Sequence, residues 1–202
     1  FVRSLDERLA QTDQSDTSIR ARMEAYVLAG KMQASIPEAA NLDAEGAATR
    51  RMYGVDDPLV GPTARNFLLA RRLVERGVRF VQLFHRGWDQ HIAIARQLPN
   101  QCHDIDQPTA ALIKDLKVRG LLEDTLVVFA TEFGRTVFSQ GKLGDPAAGR
   151  DHHGRAFTVW LAGGGIKGGI EYGATDDFCY NITENPVHLR DLHATILHCL
   201  GI

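Results

Sequence analysis

The sequence lacks long apolar runs, and its few cysteines do not form a recognisable motif. No run approaches the roughly 20 apolar residues that a transmembrane helix requires, so we expect no membrane span. The three cysteines, Cys102, Cys179 and Cys199, show no CxxC spacing. We expect them to be small buried hydrophobic residues, which predicts neither a disulfide framework nor a zinc knuckle.

A strong net charge is also missing. The formal net charge is −2 at pH 7, with 44% hydrophobic and 24% charged residues. No bulk electrostatic field attracts nucleic acid or acidic lipid, so nucleic acid is not an expected partner. The composition is typical of a globular protein, and 202 residues are enough for a single domain with a substantial core.

Residues 1–55 are predicted to form a helical support without chemistry. Four apolar residues recur there at spacings of three and four: Ile19, Met23, Tyr26 and Val27. This periodicity predicts a helix from about Thr17 to Ala34, ended by Pro37. A second short helix is expected from about Ala44 to Tyr53, with Gly54 as its stop.

Residues 63–202 are predicted to alternate between helices and strands. The helices are expected at about 64–76, 105–119 and 187–200, and the strands at 78–84, 125–131 and 157–162. This order predicts an α/β domain with a parallel or mostly parallel sheet flanked by helices. Ligands of such folds bind just outside the carboxyl ends of the strands. Residues at the ends of the predicted strands are therefore the candidates for a site.

Side chains that bind metals lie beside all three predicted strands. Asp89 and His91 follow the first strand, and Glu132 follows the second. Two adjacent histidines, His152 and His153, precede the third. Carboxylates and imidazoles are the natural ligands of zinc, manganese or iron. Each piece alone is equally typical of a solvated loop, and it is their joint placement that indicates a metal site.

Two arginines accompany these residues. Arg135 comes three residues after Glu132, and Arg150 comes shortly before the histidine pair. A guanidinium binds a tetrahedral anion through two parallel hydrogen bonds, so both arginines are predicted to bind an anionic substrate.

Four sequence strings carry a resemblance to a known family. They are GWDQH, LIKDLKVRGLLEDTLVVFATEFGRT, GRDHHGRAFTVWLAGGGIKGG and ENPVHLRDLHATILHCLGI. Together they resemble the sulfatase-like domain-of-unknown-function family 1501, which is placed in the alkaline phosphatase superfamily. The resemblance runs from about residue 23 to residue 202. It implies an alkaline phosphatase/sulfatase-like α/β fold, of which this chain is expected to be the C-terminal portion without its N-terminal part.

The resemblance also implies roles for particular residues. Asp89 and His91 match a metal-binding pair of the superfamily, and Glu132 falls at the aspartate of a second metal-binding motif. The last metal-binding histidine of the superfamily is best matched by His153, with His152 as the alternative. The superfamily nucleophile is expected upstream of this chain, so no nucleophile is named.

The implied function is metal-dependent hydrolysis of a sulfate or phosphate ester of a small molecule or glycan. The divalent metal is expected to be zinc, manganese, calcium or magnesium. Glu132 is expected to hold or orient a second cation, or to act as an acid or base, and Arg135 is the other predicted catalytic residue. The chain on its own is expected to be inactive, and an exported or periplasmic location is implied by the resemblance alone.

Two alternatives stay open at this point. Phe133 stands where the superfamily has a metal-binding histidine, which favours a module that binds sulfated or phosphorylated ligands without cleaving them. The other alternative is a structural domain whose polar residues only bond to one another. It predicts that Asp89, His91 and the other named ligands lie more than about 10 Å apart, because zinc ligands lie only about 2 Å from the metal.

Overall fold

The computed structural model describes residues 17–202, where the chain forms five α-helices and six short strands. The helices are α1 (Thr17–Ala40), α2 (Ala47–Tyr53), α3 (Gly61–Glu75), α4 (Ile94–Val118) and α5 (Leu189–Cys199). The strands are β1 (Val127–Phe129), β2 (Gly134–Arg135), β3 (His152–His153), β4 (Trp160–Ala162), β5 (Ala174–Thr175) and β6 (Ile182–Glu184). The part of the predicted helical support that covers residues 1–16 lies outside the described residues.

The strands of the described chain pair only in two-stranded antiparallel sheets, so the predicted parallel sheet is wrong. β1 pairs with β4, β2 with β3, and β5 with β6. Parallel neighbouring strands need a crossover connection, usually a helix. Residues 130–159, which connect β1 to β4, contain no helix. Residues 78–84, predicted as the first strand, form no ladder. The described chain therefore does not have the alkaline phosphatase-like α/β fold that the resemblance implied.

The buried core lies among the helices rather than on a sheet. α2, α3 and α4 pack together around a cluster of buried residues: Tyr53, Val55, Val60, Ala64, Leu68, Ala111, Leu112 and Leu116. α2 ends at Gly54 as predicted, because this residue has a φ of 81°, a left-handed conformation that glycine adopts without strain.

A buried ion cluster joins the same helices. Arg71 on α3 is 1% exposed, and its guanidinium lies 2.6 Å from a carboxylate oxygen of Glu45 and 2.9 Å from one of Asp115 on α4. The Tyr53 hydroxyl donates to Asp115 as well, at 3.2 Å. Burial, followed by the Asp115 charge, raises the pKa of Tyr53. These contacts fix α3 and α4 against each other and satisfy charges that burial would otherwise make costly.

Two helices pass through prolines. α1 continues through Pro37 to Ala40, although the sequence predicts an end at that proline. α4 begins at Ile94, earlier than the predicted start near residue 105, and contains Pro99 and Pro108. A proline removes one backbone hydrogen bond of a helix, and in both helices the remaining turns continue the element.

Several apolar side chains are open to solvent, among them cysteines that were predicted to be buried. Tyr26 of the α1 stripe is 63% exposed, and Leu189 of α5 is 50% exposed. Cys179 is exposed, and the other two cysteines are only partly buried. None of the helices within residues 17–202 combines the length and the apolar character needed to cross a membrane.

Candidate metal centre

The candidate centre stands on three loops that backbone hydrogen bonds hold together. The first loop covers residues 85–93. The second covers residues 130–140 and includes β2, and the third covers residues 147–153 and includes β3. The Arg150 amide donates to the carbonyl of Gln90 at 3.0 Å, which joins the third loop to the first. Gln140 and Gly149 exchange two backbone hydrogen bonds of 2.9 and 3.0 Å, which join the third loop to the second. The three loops therefore act as one frame.

Two glycines allow these loops to approach so closely. A Cβ atom on Gly149 would lie 2.1 Å from the carbonyl carbon of His91, and a Cβ atom on Gly134 would lie 2.2 Å from the carbonyl oxygen of Ala156. No real Cβ atom tolerates a backbone atom at such distances. A larger residue at Gly149 would therefore separate the third loop from the first, and one at Gly134 would push the second loop away from the chain at His153 and Ala156.

Three potential ligands converge where the first and third loops meet. His91 Nε2 lies 3.1 Å from His152 Nε2 and 3.0 Å from Asp89 Oδ1. His152 Nε2 lies 3.7 Å from the same Asp89 oxygen. In the described part of the chain, this is the single group of three or more metal-binding side chains with ligand atoms this close.

The outer nitrogen of each imidazole is held by a hydrogen-bond acceptor. His91 Nδ1 lies 2.7 Å from Gln140 Oε1, and His152 Nδ1 lies 2.9 Å from Glu132 Oε2. With its proton on Nδ1, each ring satisfies its acceptor and presents its Nε2 atom for metal binding. This arrangement, with an acceptor behind each imidazole, is typical of metal-binding histidines.

The distances between the donors fit a bound cation. In that tautomer the two Nε2 atoms cannot hydrogen-bond to each other, and a cation between them would be bound by both. Two nitrogens at 2.0–2.1 Å from one tetrahedral zinc ion lie about 3.3 Å apart. The observed Nε2–Nε2 distance of 3.1 Å is close to that value. A donor set of two imidazoles and a carboxylate suits zinc or manganese better than calcium or magnesium, which prefer oxygen ligands alone.

Glu132 and the two arginines lie around the cluster rather than in it. Glu132 contacts the cluster through the His152 ring, so it orients a ligand. Arg135 Nη2 lies 3.3 Å from Asp89 Oδ1 and donates to the Trp88 carbonyl oxygen at 2.6 Å. The Arg150 guanidinium donates to carbonyl oxygens of the second loop, including that of Thr136 at 3.0 Å. Of the two predicted anion-binding arginines, only Arg135 contacts a residue of the cluster.

His153 is the predicted ligand that the structure separates from the others. It is 7% exposed, its Nε2 donates to the Tyr180 carbonyl oxygen at 2.6 Å, and its ring stacks on the Tyr180 ring. Successive side chains of a strand point to opposite faces, so β3 directs only one histidine of the pair towards Asp89. The antiparallel register pairs Arg135 with His152, which places His152 on the face of the cluster.

Comparison with known protein families identifies the family to which this chain belongs. The family described as "Protein of unknown function (DUF1501)" matches residues 1–202. The chain belongs to this family. The match confirms the family resemblance carried by the four sequence strings, and family membership by itself specifies no reaction. Neither the curated proteins nor the solved structures include a match to this chain.

Sequence reasoning missed two polar residues of this DUF1501 chain. Gln140 Oε1 lies 2.7 Å from His91 Nδ1, and no motif or spacing in the sequence indicates this contact. Asp151 Oδ1 lies 3.9 Å from His91 Nδ1 and accepts the His152 amide at 2.8 Å. Its position directly before the histidine pair is a signal that could have indicated it.

Proposed function

We propose that Asp89, His91 and His152 of this chain bind one divalent cation and that the cation serves the hydrolysis of a sulfate or phosphate ester. The observation that supports the proposal is the convergence of two imidazole Nε2 atoms and one carboxylate oxygen. A hydrogen-bond acceptor lies beside the Nδ1 atom of each ring. Catalytic zinc sites use three protein ligands and leave a fourth position open, whereas structural sites use four. Bound there, the cation supplies the positive charge that polarises a tetrahedral anion and acidifies a water molecule.

The residues around the three ligands have separate roles in this proposal. Arg135 places a guanidinium beside Asp89, at the edge of the site, where its positive charge attracts the anionic oxygens of an ester. Glu132 keeps the His152 proton on Nδ1, so it is a positioning residue. No side chain is assigned as a nucleophile. The link to the alkaline phosphatase superfamily stays a prediction from the motifs, because the fold does not support it.

A second candidate function is binding of a sulfated or phosphorylated ligand without cleavage. Phe133, at the position where the resemblance implies a metal-binding histidine, is 48% exposed, and its ring centroid lies 6.2 Å from that of His152. Phenylalanine offers no ligand atom, so a second cation of the kind that assists many phosphoryl and sulfuryl transfers has one donor fewer.

The decisive experiment measures metal content and turnover on the same samples. The full chain is loaded with zinc or manganese, dialysed and analysed for bound metal, beside Asp89→Ala, His91→Ala and His152→Ala. His193→Ala, which changes an exposed histidine on α5, is the matched control. We expect one equivalent of metal in the parent and the control and a large loss in the three variants.

The outcomes separate the candidate functions. Unchanged metal content in all three variants would remove the site. Release of 4-nitrophenol from 4-nitrophenyl phosphate or sulfate, dependent on the metal and abolished in His152→Ala, supports hydrolysis. Bound metal and bound ester without product supports the binding module instead.

A further inference from the structure

An apolar cleft lies beside the first loop, which carries Asp89 and His91 of the candidate metal centre. Its volume is about 670 Å³, within the range of roughly 300–1,000 Å³ that is usual for small-molecule sites. The cleft is lined by residues of α4, β1, β4 and the first loop: Trp88, Cys102, Ile105, Asp106, Thr109, Ala110, Ile113, Lys114, Phe129 and Trp160. Two of these ten residues, Asp106 and Lys114, carry a charge.

One wall of the cleft presents flat aromatic rings. Phe129 of β1 and Trp160 of β4 are direct partners in the antiparallel ladder, so both side chains lie on the same face. Their rings are parallel to within 2°, with centroids 5.4 Å apart. Ile105 and Ile113 on α4 line the same cleft. Such a space between flat rings and aliphatic side chains suits a planar apolar group.

Trp88 connects the cleft to the metal centre. It is the residue before Asp89, so the two Cα atoms are about 3.8 Å apart across a trans peptide bond. Its indole Nε1 donates to His85 Nδ1 at 2.8 Å, and its carbonyl oxygen accepts from Arg135 at 2.6 Å. Both ends of Trp88 are therefore fixed, and Arg135 bonds to it while contacting Asp89.

We propose that this cleft binds the aromatic group of an aryl ester whose anionic end lies at Asp89, His91 and His152. The inference rests on the proposed function, since it takes the cation site as the place of the sulfate or phosphate. A glycan carries several hydroxyl groups at the edge of each ring, and those that face Ile113 or Phe129 would lose their hydrogen bonds to water. An aryl group would bury only apolar surface in the cleft. The substrate class is therefore an aryl sulfate or phosphate, and not a glycan ester.

The chain carries its own reporters for this proposal. Its two tryptophans are Trp88 and Trp160, and both line the cleft. Tryptophan fluorescence of the zinc-loaded chain is therefore titrated with phenylphosphonate and, separately, with methylphosphonate. The two ligands share the anionic group and resist hydrolysis, and they differ by the aromatic ring. Burial of the ring is expected to make phenylphosphonate bind about 10-fold or more tightly.

A matched pair of variants on α4 locates the effect. Ala110→Glu puts a negative charge into the cleft, whereas Ala95→Glu puts the same charge at an exposed position of the same helix that does not line the cleft. We expect Ala110→Glu to remove the preference for phenylphosphonate and to leave methylphosphonate binding and metal content unchanged. Ala95→Glu is expected to behave as the parent.

The results distinguish the two proposals. Equal affinity for both phosphonates in a chain that binds its metal overturns the aryl inference and leaves the proposed function standing. A preference for phenylphosphonate that survives in Ala110→Glu also overturns it, because the ring then binds elsewhere. Failure of the chain to bind a metal overturns the proposed function, and the aryl inference with it.

Discussion

His91 and His152 face each other through their Nε2 atoms, 3.1 Å apart, and a different side chain holds the outer nitrogen of each ring. The two histidines come from loops 61 residues apart. This relationship makes the cluster a candidate site for a cation.

Removal of the acceptor behind His152 is expected to weaken metal binding without removing a ligand. Glu132→Ala frees the His152 ring to rotate and to change tautomer, and losses of about 10–100-fold in metal affinity are usual for such supporting residues. Glu132→Gln keeps an acceptor oxygen and is expected to recover part of the loss. Competition titration with a zinc indicator measures both. Equal affinities in the parent and Glu132→Ala would show that Glu132 does not position the ring.

The close contact between Gly149 and the His91 backbone is expected to affect metal binding, although Gly149 is not itself a ligand. Gly149→Ala places a methyl group against the His91 backbone, and the frame must open to relieve the contact. Overpacking of this kind costs about 1–3 kcal/mol of stability, and the metal affinity should fall with it. Gly168→Ala is the control, because a Cβ atom there meets nothing within 4 Å. Thermal unfolding and metal titration of both variants test this, and a Gly149→Ala protein with parental affinity would contradict it.

How far the sequence predicts this structure can be judged from particular elements. The periodicity of α3 and the Gly54 stop of α2 are local properties of the chain, and both predictions are confirmed. The parallel sheet was wrong because a run such as residues 78–84 has strand composition without a partner, and pairing is decided by distant residues. The antiparallel pairing of β1 with β4 depends on a long connection whose path no local pattern specifies.

The choice between His152 and His153 shows the same limit within the site. Both have the right chemistry, and the resemblance to the superfamily pattern favoured His153. The face of β3 that each residue occupies is set by its register against β2, which the sequence does not reveal. Asp89, His91 and Glu132 were identified from residue type and position beside predicted strands, and the structure brings all three into contact with His152 or with one another.

Loss of Arg71, the central arginine of the buried ion cluster, is expected to destabilise the fold. Arg71→Met removes the deeply buried cation between Asp115 and Glu45, which then keep Arg119 and Arg72 as partners, so the cost should stay below the about 3–5 kcal/mol of fully breaking a buried pair. Arg65→Ala, an exposed position on the same helix, is the control. Urea unfolding followed by circular dichroism measures both. An Arg71→Met protein as stable as the control would show that the cluster contributes little.

Acid is expected to weaken the same cluster through Glu45. Burial acts to raise the pKa of Glu45, but the hydrogen bonds and charges of Arg71 and Arg72 outweigh it, so the pKa lies below its ordinary value of 4.5. A pKa lowered by folding contributes stability that is fully present above 4.5 and is lost as the pH falls through the folded-state value. Unfolding free energies between pH 7 and pH 3 should therefore fall less steeply for Glu45→Gln than for the parent. Parallel pH profiles would contradict this assignment.

The central claim, that Asp89, His91 and His152 hold one divalent cation, is tested most directly by the neighbouring pair His152→Ala and His153→Ala. Bound zinc is measured after dialysis, and circular dichroism confirms that each variant is folded. The account predicts that the His152→Ala protein loses its metal while the His153→Ala protein keeps about one equivalent. Retention of zinc by the His152→Ala protein, or its loss from the folded His153→Ala protein alone, would contradict the account.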